Sequence, residues 1–319
     1  MLDLLYGQVM RVRRRRVERR PQRQRHLSKP VISVGNLSVG GTGKTPVVAA
    51  IAQWLADRGH RPSILTRGYG REDAVDGVVV VDAATPVARS GDEPLMLARQ
   101  VPGAKVCVSP DRYLGGVLAE KLGCTVHILD DGFQHIELAR GLDILVTTIG
   151  EIPNGRVIPM GRLREPKDAA ARAHVLVVTD ATAGAAAKEA WELGISQACG
   201  CRRSLGAPLA IGNQQSATSK ILAVAGIANP DRFVALLREA GHNVVDSIAF
   251  ADHHRYRASD LAAIESRMKS SGADAVLTTD KDAVRFESLS PAFPIYRVPL
   301  AVEFDPPGAL FESVSAVIA

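Results

Sequence analysis

The chain has 319 residues, 46% of them hydrophobic and 23% charged, with a formal net charge of +5. That length allows two domains of about 150 residues each, and the balance is ordinary for a globular protein. No run of about 18 apolar residues occurs, so no transmembrane helix is expected. Apolar residues precede the arginines at the start, the reverse of a secretory signal.

The charge is uneven. Residues 1–30 hold nine Arg and one Lys against Asp3 and Glu18, a surplus of +8, so the other 289 residues sum to −3. This argues against a nucleic-acid-binding fold as a whole and for one basic arm. Within residues 1–26, Leu2, Leu5, Val9 and Val12 recur at helical spacing among Arg11, Arg13 to Arg16, Arg19 and Arg20. A basic amphipathic helix of this kind suits an anionic membrane surface; an RNA-binding arm and a solvated tail are the alternatives.

The chemistry begins at Ser33 to Val48, SVGNLSVGGTGKTPVV. Val31 to Val34 reads as a buried strand, and Val47 to Leu55 as a helix with positions 47, 48, 51, 54 and 55 on one face. The glycines between them form the phosphate-cradling half of a P-loop. Ser38, Val39, Gly40, Gly41, Thr42 and Gly43 would wrap a nucleoside triphosphate. Lys44 would reach its β- and γ-phosphates, and the Thr45 hydroxyl would hold Mg²⁺. The general pattern opens with Gly where this chain has Ser38.

Pro62 to Thr66 is the next expected strand, running into Arg67-Gly68-Tyr69-Gly70-Arg71, where two arginines suit anionic contacts. Ser90-Gly91-Asp92-Glu93-Pro94 precedes a helix from about Leu95, with Asp92 and Glu93 either capping it or serving as catalytic carboxylates. Further strands are expected at 78–81 and 105–108, the latter ending in Ser109-Pro110-Asp111-Arg112 before a helix over 113–122. Thr125 to Leu129 ends in Asp130-Asp131-Gly132-Phe133-Gln134-His135, the form of a Walker B element; the adjacent acids point to a metal.

Strands at 142–147 and 175–179 bracket a Gly-, Pro- and Arg-rich stretch containing Arg156, Arg162 and Arg164, which reads as a functional loop or lid. A helix is expected over 181–198, then a polar, irregular domain boundary over 199–220. Cys199-Gly200-Cys201 has no second pair near it, so the four cysteines read as reduced thiols, not a zinc site. A second α/β unit follows: a strand at 221–225, helices over 231–240 and 259–269, and a strand at 275–278. Asp252-His253-His254 offers a base held by a carboxylate, and Thr279-Asp280-Lys281-Asp282 closes the series of motifs.

Taken in order, GNLSVGGTGKTP, RGYGR, GDEP, SPDR, DDGFQH, GRLREP, DHHRY and TTDKDAV resemble the tetraacyldisaccharide 4'-kinase family of lipid A biosynthesis. Ser38 in the P-loop is what that family shows. The resemblance implies an α/β fold: a P-loop NTPase-like α/β/α sandwich with a second, smaller α/β/α unit. It implies a basic arm over 1–26, a kinase core over 27–205 and a C-terminal domain over 206–319. The reaction implied is transfer of the γ-phosphate of ATP, with Mg²⁺, to the 4'-hydroxyl of tetraacyldisaccharide 1-phosphate, giving lipid IV-A. The place implied is the cytoplasmic face of the Gram-negative inner membrane, peripherally bound, with no nucleic-acid partner.

By the same resemblance Asp92 is the catalytic base, with His253 preferred over His254 as its partner, and Asp130 and Asp131 hold the metal. Arg67, Arg71, Arg112, Arg162 and Arg164 are loose candidates for substrate or nucleotide phosphates. The rival reading is a membrane-associated P-loop switch ATPase without a small-molecule acceptor. Such proteins carry a further Lys near Ser38 or Val39, absent here. A GTPase-like metal-insertion chaperone wants Asn-Lys-x-Asp, and the nearest match has Asp280 in place of the Asn.

Overall fold

A computed structural model of the chain describes residues 2–68, 77–211, 220–286, 289 and 291–319. The first part runs α1 (Leu2–Glu18), β1 (Val31–Gly35), α2 (Lys44–Asp57), β2 (Pro62–Thr66), β3 (Val79–Val81), α3 (Val87–Ser90), α4 (Asp92–Gln100), β4 (Lys105–Val108), α5 (Arg112–Lys121), β5 (Val126–Asp130), β6 (Leu142–Thr148), β7 (Val175–Thr179), α6 (Ala183–Leu193) and β8 (Gln197–Leu205). The rest runs β9 (Leu209–Ala210), β10 (Ile221–Ala225), α7 (Pro230–Glu239), β11 (Val244–Ala249), α8 (Ala258–Ser271), β12 (Ala275–Thr279), α9 (Asp280–Phe286), β13 (Ile295–Val298), β14 (Leu300–Asp305) and α10 (Ala309–Ile318).

Nine strands form the large sheet in the order β14-β8-β7-β6-β1-β5-β2-β4-β3. Its inner strands are parallel and buried on both faces, which is why they read as continuous apolar runs. Ile32, Val34, Ile64, Ile128 and Ile144 point into one core with α2, α4 and α10. Leu65 and Leu129 alternate to the opposite face under α5, and Leu145 and Leu176 to that face under α6. The small sheet has the order β11-β10-β12-β13-β9, with α7 on one face and α8 on the other. The expected pair of α/β/α units is therefore present.

Three expectations need correction. The helix expected over 181–198 stops at Leu193, where Gly194 turns left-handed (φ 71°). The boundary region expected to be irregular begins instead as β8. Cys199 and Cys201 point inward from it at strand period, and burial pushes their thiols up to about 12 and 11. The segment 206–319 does not stay in one unit. Strands β9 to β13 build the small sheet, and β14 then returns to pair antiparallel with β8, Leu300 opposite Leu205. Apolar burial drives that return: Phe311 of α10 stacks on Trp54 of α2, ring centroids 4.9 Å apart.

Candidate active site

The P-loop leaves β1 at the point where the connections of the large sheet change direction, the position at which open α/β sheets bind ligands. Inside the loop, buried Asn36 donates from Nδ2 to Thr42 Oγ1 at 3.0 Å and to Ser38 Oγ at 3.4 Å. Gly40 and Gly43 take φ values of 115° and 84°, which side chains resist. A Cβ on Gly40 would overlap the Arg162 guanidinium. Arg162 itself donates from Nη2 to Val39 O at 2.8 Å, so the expected lid loop lies against the P-loop. No side chain caps the amino terminus of α2, which leaves its N–H groups for an anion.

Asp130 ends β5 only 3% exposed, accepting from Thr66 Oγ1 at 3.2 Å. Asp131 follows with a left-handed φ of 52°. Its carboxylate takes Lys44 Nζ at 3.3 Å and Arg164 Nη1 at 2.7 Å. Burial raises the Asp131 pKa, but Lys44 and Arg164 outweigh it and hold the group below the usual range. Asp130 goes the other way. Burial, then the charges of Glu93 and Asp131, push it up to about 7. Asp130 is thus a buried acid held towards its neutral form, and a bound cation would favour its ionised form, which fits a metal ion. Among the described residues no cluster of three or more His, Cys, Asp or Glu is arranged to hold one alone. Mg²⁺ suits that arrangement, because it binds through one or two carboxylates and takes the rest of its shell from phosphates and water.

Arg112 opens α5 and is buried; Asp130 and Asp131 both act on its charge. Arg67 is exposed just past the carboxyl end of β2, and Arg71 lies outside the described residues.

Asp92 and Glu93 lie in the first turn of α4 and do not cap it; Gly91 (φ 84°) is the capping position. Asp92 Oδ2 lies 3.2 Å from His253 Nδ1 and accepts from Arg285 through Nε at 3.0 Å and through Nη2. Burial would raise the Asp92 pKa, but His253 and Arg285 hold it to about 2. His253 is delivered on a left-handed backbone, φ 59°, with its amide donating to Gly226 O at 3.2 Å. The neighbouring His254 turns away. Its Nε2 lies 3.0 Å from Asp260 Oδ2, and its ring stacks on Phe250.

Five further groups belong here. Lys281 Nζ lies 3.0 Å from His253 Nε2 and 3.5 Å from Glu93 Oε1. Arg285 is on the same helix, one turn on. Asp180, left-handed at φ 55°, pairs with Arg203 of β8 and lies 3.5 Å from Arg232 Nε of α7. In the sequence Lys281 lay within the TTDKDAV motif without an assigned role, Arg285 was a second cation four positions on, and Asp180 was an acid at a strand end.

A family model described as Tetraacyldisaccharide-1-P 4'-kinase matches residues 1–319. A tetraacyldisaccharide 4'-kinase of Geobacter sulfurreducens is 39% identical over 98% of this chain and 91% of its own length. One of Pelobacter propionicus is 41% identical over 90% of this chain and 82% of its own. The crystal structure of LpxK from Aquifex aeolicus in complex with ATP superposes with a TM-score of 0.78 at 28% identity. It covers 100% of this chain and 98% of that one.

Proposed function

The chain belongs to the tetraacyldisaccharide 4'-kinase family, and on that premise we propose how its residues carry out the transfer. The reaction moves the γ-phosphate of ATP to the 4'-hydroxyl of tetraacyldisaccharide 1-phosphate in lipid A biosynthesis. The observation that carries the proposal is the junction of Asp92 from the large-sheet unit with His253 from the small-sheet unit, beside the P-loop and its acids.

In this reading Ser38 to Thr45 hold the triphosphate, and Lys44 leaves Asp131 for the transferring phosphoryl group. Mg²⁺, held by Thr45, Asp130 and Asp131, would neutralise charge that builds on the phosphate oxygens. The 4'-oxygen attacks the γ-phosphorus as its proton passes to Asp92. The bond from the γ-phosphorus to the β–γ bridging oxygen breaks, and ADP leaves. A carboxylate held to about 2 is a weak base. That is tolerable because a loose phosphoryl-transfer transition state depends mainly on positioning and charge neutralisation. Arg67, Arg71, Arg112, Arg162 and Arg164 are the cations proposed for the substrate 1-phosphate and the nucleotide.

The proposed place of work is the cytoplasmic face of the inner membrane. Among the described residues no helix is long and apolar enough to cross a membrane. α1 instead lies on the body through Tyr6 OH to Arg164 O at 3.0 Å and Arg14 to Asp168 at 2.6 Å. Its other face leaves Leu5, Val9 and Val12 64%, 57% and 62% exposed. An apolar stripe beside arginines suits an anionic lipid surface.

The test is direct. Detergent-purified protein with Mg-ATP and tetraacyldisaccharide 1-phosphate should give, by mass spectrometry, a product heavier by one phosphate. Lys44→Ala should lower kcat/KM by about 10³-fold or more with unchanged circular dichroism. Near-normal turnover in that variant would remove the P-loop lysine from the mechanism.

A further inference from the structure

We propose that Lys281 is a positioning residue of the transfer: it fixes the ring of His253 as the Nδ1–H tautomer, so that His253 donates to Asp92. The proposal rests on the reading of Asp92 as the base.

Tautomer bookkeeping leads to it. A neutral imidazole has one donor and one acceptor nitrogen, and an ammonium has donors only. Lys281 Nζ lies 3.0 Å from His253 Nε2, so Nε2 must accept. The proton then sits on Nδ1, aimed at Asp92 Oδ2 at 3.2 Å. Without Lys281 the choice is open, because Arg285 Nη2 lies 3.4 Å from the same Nδ1 and offers it a donor. In that alternative Nδ1 accepts from Arg285, and the bond to Asp92 is lost.

The same contacts distinguish the two oxygens of Asp92. His253 and Arg285 both converge on Oδ2. Oδ1 is then the oxygen left to face the sugar hydroxyl and take its proton. Lys281 and Arg285 are one turn apart on α9, so one short helix orients both members of the pair.

That helix is firmly seated. Asp282 is fully buried, accepting from Gly226 N at 3.0 Å and Thr279 Oγ1 at 2.7 Å, and it pairs with Arg285 Nη1 at 3.2 Å. Val284 is buried in the same apolar cluster as Leu95 and Leu97 of α4. Among the described residues, the charged groups facing His253 are Asp92 from α4, Asp252 from its own turn, and Lys281 and Arg285 from α9. Lys281 also reaches Asp252 Oδ1 at 3.3 Å, so it is held on the side away from Asp92 as well.

The experiment uses the full chain in detergent with ¹⁵N-labelled histidine. In the wild type, one histidine signal that disappears in His253→Ala should show a protonated Nδ1 and a bare Nε2. Lys281→Met, which keeps length and loses the donors, should shift that signal toward a tautomer mixture. Lys281→Arg should restore it. In turnover, Lys281→Met should lower kcat about tenfold with KM for ATP unchanged, and add less than about twofold in a His253→Ala background.

A wild-type ring protonated at Nε2 overturns the proposal. So does a loss that appears in KM for ATP, which would put Lys281 on the nucleotide, or a loss that is fully additive with His253→Ala. If the wild type phosphorylates no disaccharide, the kinase reading fails instead, and the ring signal still reports the tautomer.

Discussion

Asp131, Asp180 and His253 are the non-glycine residues with left-handed backbones among the described residues, and all three line the cleft just beyond the ends of parallel strands. Such conformations cost about 1–3 kcal/mol each and persist only where the surroundings enforce them. Here each residue carries an ion pair or hydrogen bond that aims it. Asp92 gives this scale its test. Its carboxyl is depressed from 3.8 to about 2, chiefly because His253 and Arg285 outweigh burial. A depressed acid contributes stability that is present above its unfolded pKa and is lost as pH falls through the folded one. The contribution is about 2 kcal/mol by linkage. Asp92→Asn should therefore be less stable than wild type by about that amount at pH 7 in urea unfolding. The gap should narrow between pH 4 and pH 2; a gap independent of pH would mean that the Arg285 pair contributes no net stability.

Elements show where sequence reasoning reached and where it stopped. The parallel strands β1, β2, β4 to β7, β10 and β12 were legible because burial on two faces leaves short apolar runs bounded by Gly, Asp and Pro, whereas β11, whose residues alternate between half-buried and exposed, and β13 were not assigned. The P-loop was legible because its chemistry requires particular residues at particular spacing. β8 was not: Cys199 and Cys201 are small, and Arg202 and Arg203 beside them read as polar loop. β14 and α10 were not assigned, because nothing local marks a strand that pairs with a partner about 100 residues earlier. Arg285 was missed for the same reason: its partner Asp92 is 193 positions away. α1 was legible as a basic amphipathic helix, and its role is testable. Replacing Leu5, Val9 and Val12 by Ser removes exposed apolar area and no core contact. Sedimentation with anionic vesicles should fall about tenfold or more while the melting temperature stays within about 2 °C. Unchanged sedimentation would place the lipid contact elsewhere.

At the scale of the whole molecule, both sheets present the carboxyl ends of their parallel strands to one cleft. The large sheet supplies the P-loop, Asp130 and Asp131, with Asp92 from the helix before β4. The small sheet supplies His253, Lys281 and Arg285. The small unit is an insertion between two strands that pair with each other: Leu205 of β8 faces Leu300 of β14, and Gly206 N donates to Pro299 O at 2.9 Å. The large sheet should therefore close without it. Replacing residues 206–299 by Asn-Gly gives β8 and β14 a two-residue hairpin turn that fits antiparallel partners. This shortened chain should fold, because β14 and α10 still cover α2 and the edge of β8. It should bind ADP within about tenfold of wild type through the P-loop, and transfer no phosphate, because the groups that orient Asp92 are gone. The readouts are calorimetric binding and the mass-spectrometric transfer assay. Normal transfer by the shortened chain would show that Asp92 works without His253, Lys281 and Arg285. A complete loss of ADP binding in a folded chain would show instead that the small unit, through the pair of Arg232 with Asp180, completes the nucleotide site itself.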